Sequence, residues 1–418
     1  MNSRELVLKA LNHEETSKIP IDFGATPITG ISANVVSKLK DYYGILNNDL
    51  VKIIEPYQML GEITDGLKEK LGVDCIGLSC KNNIFGFENN NWKSWELFDG
   101  TKVLVPGKFN TRIEDDGAVL QYPQGDNTVV ASARMPKGGY YFDSIIRQKD
   151  LSKGALKIED NLEEFEIIDD DELKYLEKES DYLYKNTDFA IIGNFGGLSF
   201  GDIALVPGPS LKDPKGIRDI EEWYISLATR KNFVYELFSR QCEIALKNLE
   251  RIYQAVSDRI NVIVISATDF GTQRGPFISI EVYRELFRPF HIKLNSWIHG
   301  NTKWKTFMHS CGSINTLMDD FIKAGFDIIN PVQLSAEGMD AVKMNEKYGS
   351  KVVFWGGGID TQKTLPFGTV EEIVDEVSER IKIFSKDGGF IFSAIHNIQA
   401  KTPIENVTKM IEIVRNYK

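Results

Sequence analysis

The chain has 418 residues, a formal net charge of -11, 42% apolar and 26% charged residues. This is the balance of a globular protein that buries a sizeable core, and it argues against a general nucleic-acid binder, which needs a basic face. The opening "MNSRELVLKALNHEE" has no apolar core of signal-peptide length, and no run approaches the roughly 20 apolar residues of a membrane helix, so a cytoplasmic protein with no membrane or nucleic-acid partner is expected.

A short helix opens the chain, with Leu6, Val7, Ala10 and Leu11 at helical spacing and Asn2 as its cap. "IPIDFG" (19–24) reads as a buried strand, followed by helix to about Tyr43, and "DCIGLS" (74–79) reads as a second strand. From Cys80 to Asp143 the texture is aromatic and β-branched, with Asp-Gly pairs at 99–100 and 116–117 that signal hairpin turns. This predicts an antiparallel insertion over 80–143. The acidic stretch 159–181 reads as a solvated helix or linker.

A regular rhythm then sets in. Strands are predicted at 189–195, 260–268, 304–310, 327–332, 351–356 and 389–395, separated by helical stretches. Thr369 with Glu372, and Thr402 with Glu405 behind Pro403, read as capping boxes of the last two helices. Continuous apolar strands alternating with amphipathic helices mean a parallel sheet covered by helices. Eight such strands predict a single (β/α)8 TIM barrel over 1–418, carrying the β-rich insertion after its second strand. An open doubly wound sheet is the alternative, but no G-x-G-x-x-G follows an early strand.

Barrels of this class do their chemistry at the C-terminal ends of the strands. The polar residues expected there are few. Asp269 and Gln273 follow strand four and are the catalytic candidates. Asp22, Asn194, Asn330, Gln333 and Gln399 follow other strands and are candidates for binding substrate. His309 and Cys311 close strand five in a chain with only five His and four Cys. Alternate residues of a strand share a face, so the pair converges if that face is the barrel mouth. His396 sits at the matching height of strand eight. Two nitrogens and one sulfur with an open fourth position are the donor set of a catalytic zinc. The competing reading is a strand-end His bonded to a carbonyl beside a buried, inert Cys. Asp269 has two readings as well: an acid or base in the mouth, or a turn cap beside its own Gly.

Several stretches together resemble the uroporphyrinogen decarboxylase superfamily, within it the corrinoid-dependent methyltransferase branch. They are "RELVLKALNHEETSKIPIDFG" (4–24), "ATDFGTQRGPFIS" (267–279), "MHSCGSI" (308–314), "GGGIDTQKTLPFGTVEEI" (356–373) and "FSAIHNIQAKTPIENVTKMI" (392–411). The resemblance implies a (β/α)8 barrel. It also implies zinc bound by the His and Cys of the H-x-C motif, here His309 and Cys311, and a partner protein that carries the corrinoid. The branch usually supplies its third ligand as a Cys shortly before a Thr-Pro; at that position this chain has His396. That departure speaks against a coenzyme M type of acceptor. The true decarboxylases hold substrate carboxylates with arginines near the N-terminus, whereas the first 70 residues here contain only Arg4. The expected function is therefore methyl transfer between a small substrate (a methyl ether, amine or thiol) and the cobalt of a partner corrinoid protein. The alternatives are a metal-independent decarboxylase of a non-porphyrin carboxylate, and a barrel that only binds a ligand or partner.

Overall fold

The computed structural model describes residues 1–45, 49–151 and 156–417. Seven parallel strands form one curled sheet, in the order Phe390–Ile391, Val353–Trp355, Ile328–Asn330, Lys305–His309, Val262–Ser266, Ala190–Asn194, Cys75–Ser79. The expected first strand, 19–24, is reduced to a single parallel bridge between Ile21 and Phe392. That bridge still joins the two edges of the sheet. Phe392 donates to the Pro20 carbonyl (2.8 Å), and Asp74 donates to the Ile21 carbonyl (2.8 Å). A longer ladder is blocked for local reasons. Pro20 has no N–H to give. The Ile21 N–H is taken by the Asp74 carboxylate (3.0 Å), and Gly24 turns the chain out at φ +87°. The result is a (β/α)8 TIM-like barrel in which one stave is a bridge.

The register decides what points inward. Cys75, Ala190, Ile192, Val262, Val264, Phe307, Ile328, Val353, Trp355 and Ile391 form one buried cluster with Val7, Ala10 and Leu11. The helix Ser3–Leu11, capped by Asn2 in a capping box with Glu5, therefore plugs the N-terminal end of the barrel. Each buried side chain of this size contributes about 1.5–3 kcal/mol. Intervening residues such as Ile191, Ile263, Met308, Ile329 and Phe354 belong to the larger core under the outer helices. Since Phe307 and Ile328 face the interior, His309 and Asn330, two residues on, face the same way. Gly77 permits one close approach, because a Cβ there would lie 1.9 Å from the Ala25 carbonyl oxygen.

The insertion forms both hairpins at the Asp-Gly pairs. Lys93–Glu96 pairs with Lys102–Val105, and Thr111–Ile113 with Val119–Gln121. It also recruits a strand that sequence reasoning missed. Val51–Glu55, which precedes the barrel strand Cys75–Ser79, pairs in parallel with Lys102–Val105. The β-rich layer thus draws on both sides of that barrel strand.

Two further expectations are corrected. The acidic stretch becomes the helix Asp170–Asn186, but its beginning is not solvated: Glu164 bonds the buried Arg218 at 2.5 Å. The last helix, Ile404–Asn416, has no capping box. The Thr402 hydroxyl instead donates to the Gln399 carbonyl (2.7 Å). The box at Thr369 and Glu372 does form. Among the described residues, no helix is long and apolar enough to cross a membrane.

Candidate metal centre at the barrel mouth

His309 ends its strand and is 4% exposed. Its Nδ1 lies 2.5 Å from Asn330 Oδ1, at the end of the next strand. The Asn330 amide in turn donates to the Trp355 carbonyl at 2.7 Å. This chain fixes the His309 ring and leaves its Nε2 facing Cys311 Sγ at 3.5 Å. Two donors about 2.0–2.3 Å from a shared tetrahedral ion would stand roughly 3.5 Å apart. His396 completes the group: one ligand atom each from His309, Cys311 and His396 lie within 4.8 Å of one another. The ring centroids of the two histidines are 6.3 Å apart. The donor set fits zinc in kind and in spacing, and the Asn330 contact is the outer support a ligating His needs.

Loop contacts hold the motif in place. Asp269 Oδ1 accepts the Cys311 N–H at 2.7 Å and lies 3.7 Å from His309 Nε2. Gln333 Oε1 accepts the Gly312 N–H at 2.7 Å. Ser310 Oγ accepts the Phe270 N–H at 2.8 Å. Gly312 is at φ +81° and its α-carbon approaches Gly271 so closely that any Cβ would strike it. The chain reversal after Cys311 therefore requires glycine.

Burial, and next the charge of His309, push His396 down to about 4, so it is a neutral imidazole at physiological pH. Burial and the Asp269 carboxylate raise the Cys311 thiol well above its ordinary value. A metal ion would have to displace that proton, and only the thiolate ligates.

The other predicted residues fall differently. Asp22 is buried and accepts from Trp355 Nε1 (3.0 Å) and the Ala25 N–H (3.1 Å). Burial pushes its carboxyl up to about 6. Gln273 is exposed and bonds Gln362 at 3.3 Å, away from the cluster's hydrogen-bond network. Asn194 and Gln399 are half-buried at their strand ends, and no hydrogen bond ties either side chain to the triad. Asn330 and Gln333 bond the motif itself. Sequence reasoning missed Asn397, which links three segments around His396. It accepts the Gly30 N–H (2.6 Å) and donates to the Pro27 carbonyl (2.8 Å) and Gln58 Oε1 (2.7 Å). Its place directly after His396 was the only available signal.

A parallel barrel with its polar cluster at the C-terminal strand ends is the build of an enzyme-type (β/α)8 protein. Residues 159–417 match the profile of the uroporphyrinogen decarboxylase (URO-D) family, and the chain belongs to that family. A solved methyltransferase from Methanosarcina mazei shares the fold. It is 16% identical, with a TM-score of 0.54, over 99% of this chain and 98% of that one. A GH113 β-1,4-mannanase aligns over 58% of this chain and 78% of its own, at 14% identity and a TM-score of 0.26. No curated protein sequence matches significantly.

Proposed function

We propose that the chain is a zinc-dependent methyltransferase that moves a methyl group between a small substrate and the cobalt of a partner corrinoid protein. The observation that carries this reading is the convergence of His309, Cys311 and His396 at the barrel mouth, with Asp269 beside them. Three protein donors leave a fourth position for a substrate atom. Bound zinc would supply Lewis acidity to the oxygen, nitrogen or sulfur that carries the methyl group. The chain's own residues then have defined tasks. Asn330 holds Nδ1 of His309 and so aims Nε2 at the site. Gln333 and Asp269 pin the backbone of Gly312 and Cys311. Asp269, which is partly exposed, is the acid that protonates the departing atom.

A separate corrinoid carrier is part of the proposal, because the sequence has no D-x-H-x-x-G cobalamin signature. The decarboxylase reading lacks support at its main point. Arg4 donates to the carbonyls of Phe189 (3.0 Å) and Thr187 (2.9 Å), at the end of the barrel opposite the triad. It is not placed to hold a substrate carboxylate there.

The test is zinc content and methyl transfer in the wild type and in Cys311→Ala. Both should fall together while the circular dichroism spectrum is retained, since the barrel core does not depend on this residue. Full zinc and full activity in the variant would sink the reading, as would methyl transfer without any corrinoid protein.

A further inference from the structure

The two histidines of the triad are held in different ways. Asn330 bonds the His309 ring directly. No hydrogen bond reaches the His396 ring from any described residue, so its nitrogen goes where its backbone carries it. The strand Phe390–Ile391 ends before His396, and the sheet ladder does not fix that backbone. Its neighbours do. Ile395 N–H donates to the Ile359 carbonyl (3.1 Å), Ile398 N–H to the Gly30 carbonyl (3.0 Å), and Ser32 N–H to the Ile398 carbonyl (2.9 Å). Between these contacts lies Asn397, fully buried and with its whole amide engaged. Oδ1 accepts the Gly30 N–H at 2.6 Å, and Nδ2 donates to the Pro27 carbonyl at 2.8 Å and to Gln58 Oε1 at 2.7 Å. The Gly30 N–H can meet only an oxygen and the Pro27 carbonyl only an N–H, so the amide cannot turn over and its second N–H must face Gln58. Without the Gln58 oxygen, a buried N–H beside His396 has no partner, and that segment is driven to shift.

Gln58 stands on a turn held from outside the barrel. The turn follows the strand Val51–Glu55, and the Glu55 carboxylate accepts the N–H groups of Tyr57 (3.1 Å) and Gln58 (2.7 Å). On its other side the Tyr57 carbonyl accepts the Phe142 N–H (2.7 Å), and the Tyr57 hydroxyl lies 3.1 Å from Ser144 Oγ. Phe142 is fully buried against Phe85 and Phe109, and Ser144 lies on the strand Asp143–Ser144, so both contacts come from the β-rich layer. An unbroken series of contacts thus runs from that layer through Tyr57 and Gln58 to Asn397, the residue next to His396. Adjacency alone is not coupling, and a double-mutant cycle tells the two apart.

We propose that Gln58 is a positioning residue for the metal ligand His396, and that through it the β-rich layer sets the affinity of the metal centre. This rests on the zinc reading of the triad and adds to it a task for the insertion. His309 and Cys311 are fixed from within the barrel, by Asn330, Asp269 and Gln333. His396 is fixed from the insertion side, so the two halves of the donor set are supported independently.

The test measures zinc affinity by competition with a chromophoric chelator and records the absorption spectrum of the cobalt(II) form. Gln58→Leu should weaken zinc binding about tenfold, the lower end of the loss when the outer support of a ligand is removed. Its cobalt(II) form should keep the thiolate charge-transfer band of Cys311 and show altered d–d bands, because only the His396 side of the site is loosened. Gln58→Glu keeps an acceptor for Asn397 and should stay within about threefold of the wild type. In a His396→Ala background Gln58→Leu should change zinc affinity no further, because the residue through which it acts is gone. Wild-type affinity and spectrum in Gln58→Leu, an equal loss in Gln58→Glu, or an undiminished loss in the His396→Ala background would each overturn the proposal. If Gln58→Leu does not fold, Gln58→Met, an unbranched chain of similar length, is held to the same criteria. A wild-type protein that binds no zinc, or a His396→Ala variant that binds it at full affinity, would strike the zinc reading itself and the proposal with it.

Discussion

Asn330→Leu isolates the link between barrel register and metal site. Asn330 is fully buried and makes two contacts, one to His309 Nδ1 at 2.5 Å and one to the Trp355 carbonyl at 2.7 Å. Leucine is close in volume, so the change leaves little cavity and the effect is almost wholly polar. Two buried groups lose their partners, each at a cost of roughly 1–3 kcal/mol, so stability should fall by about 2–6 kcal/mol. His309 also loses the contact that sets its tautomer and ring angle, which should weaken zinc binding by about 10- to 100-fold. Urea unfolding measures the first quantity, and competition with a chromophoric chelator measures the second. A stability change within about 0.5 kcal/mol, the margin for an ordinary surface substitution, would refute the assigned hydrogen bonds. Lost stability with unchanged zinc affinity would refute the idea that Asn330 orients a ligand.

Three other outcomes follow from buried groups elsewhere. His291 is fully buried and pushed down to about 3 by that burial; its folded value lies below the unfolded one, so stability is present above about pH 6.5 and is lost as pH falls toward 3. Between pH 7 and 5 this amounts to roughly 2 kcal/mol, and His291→Phe should flatten that slope in urea titrations whatever its effect on absolute stability. Arg218→Met leaves the partly buried Glu164 without its partner and should cost up to about 3 kcal/mol, read as a lower urea midpoint. Gly77→Val sets a side chain against the Ala25 carbonyl, where even a Cβ would stand at 1.9 Å; the chain 20–25 should be displaced from the barrel edge, which faster amide exchange of Asp74 and Phe392 would report.

Much of the site was legible because the interior phase of a parallel strand is set by simple alternation. His309 and Cys311 stood out as rare residues two positions apart at the end of an apolar run, and His396 stood at the same height three strands later. Asp269 was legible for the same reason. Asp22 and Gln273 were not separable from them, since any polar residue at a strand end satisfies the same rule. Asp22 proved to be the buried partner of Trp355, and Gln273 a loop residue turned to solvent.

The sequence by itself determined the strand–helix alternation, the hairpins at the Asp-Gly pairs and the rarity of the metal-type donors. These are local properties, written in spacing and residue type. Only the tertiary structure decided that the first stave is a bridge at Ile21, that Val51–Glu55 joins a sheet formed mostly after it, and that Asn330 rather than Asn194 reaches His309. Each of these depends on which backbone groups and charges from distant segments meet. A chain's local pattern carries no term for that encounter, because the pairing energies arise only once the barrel has closed.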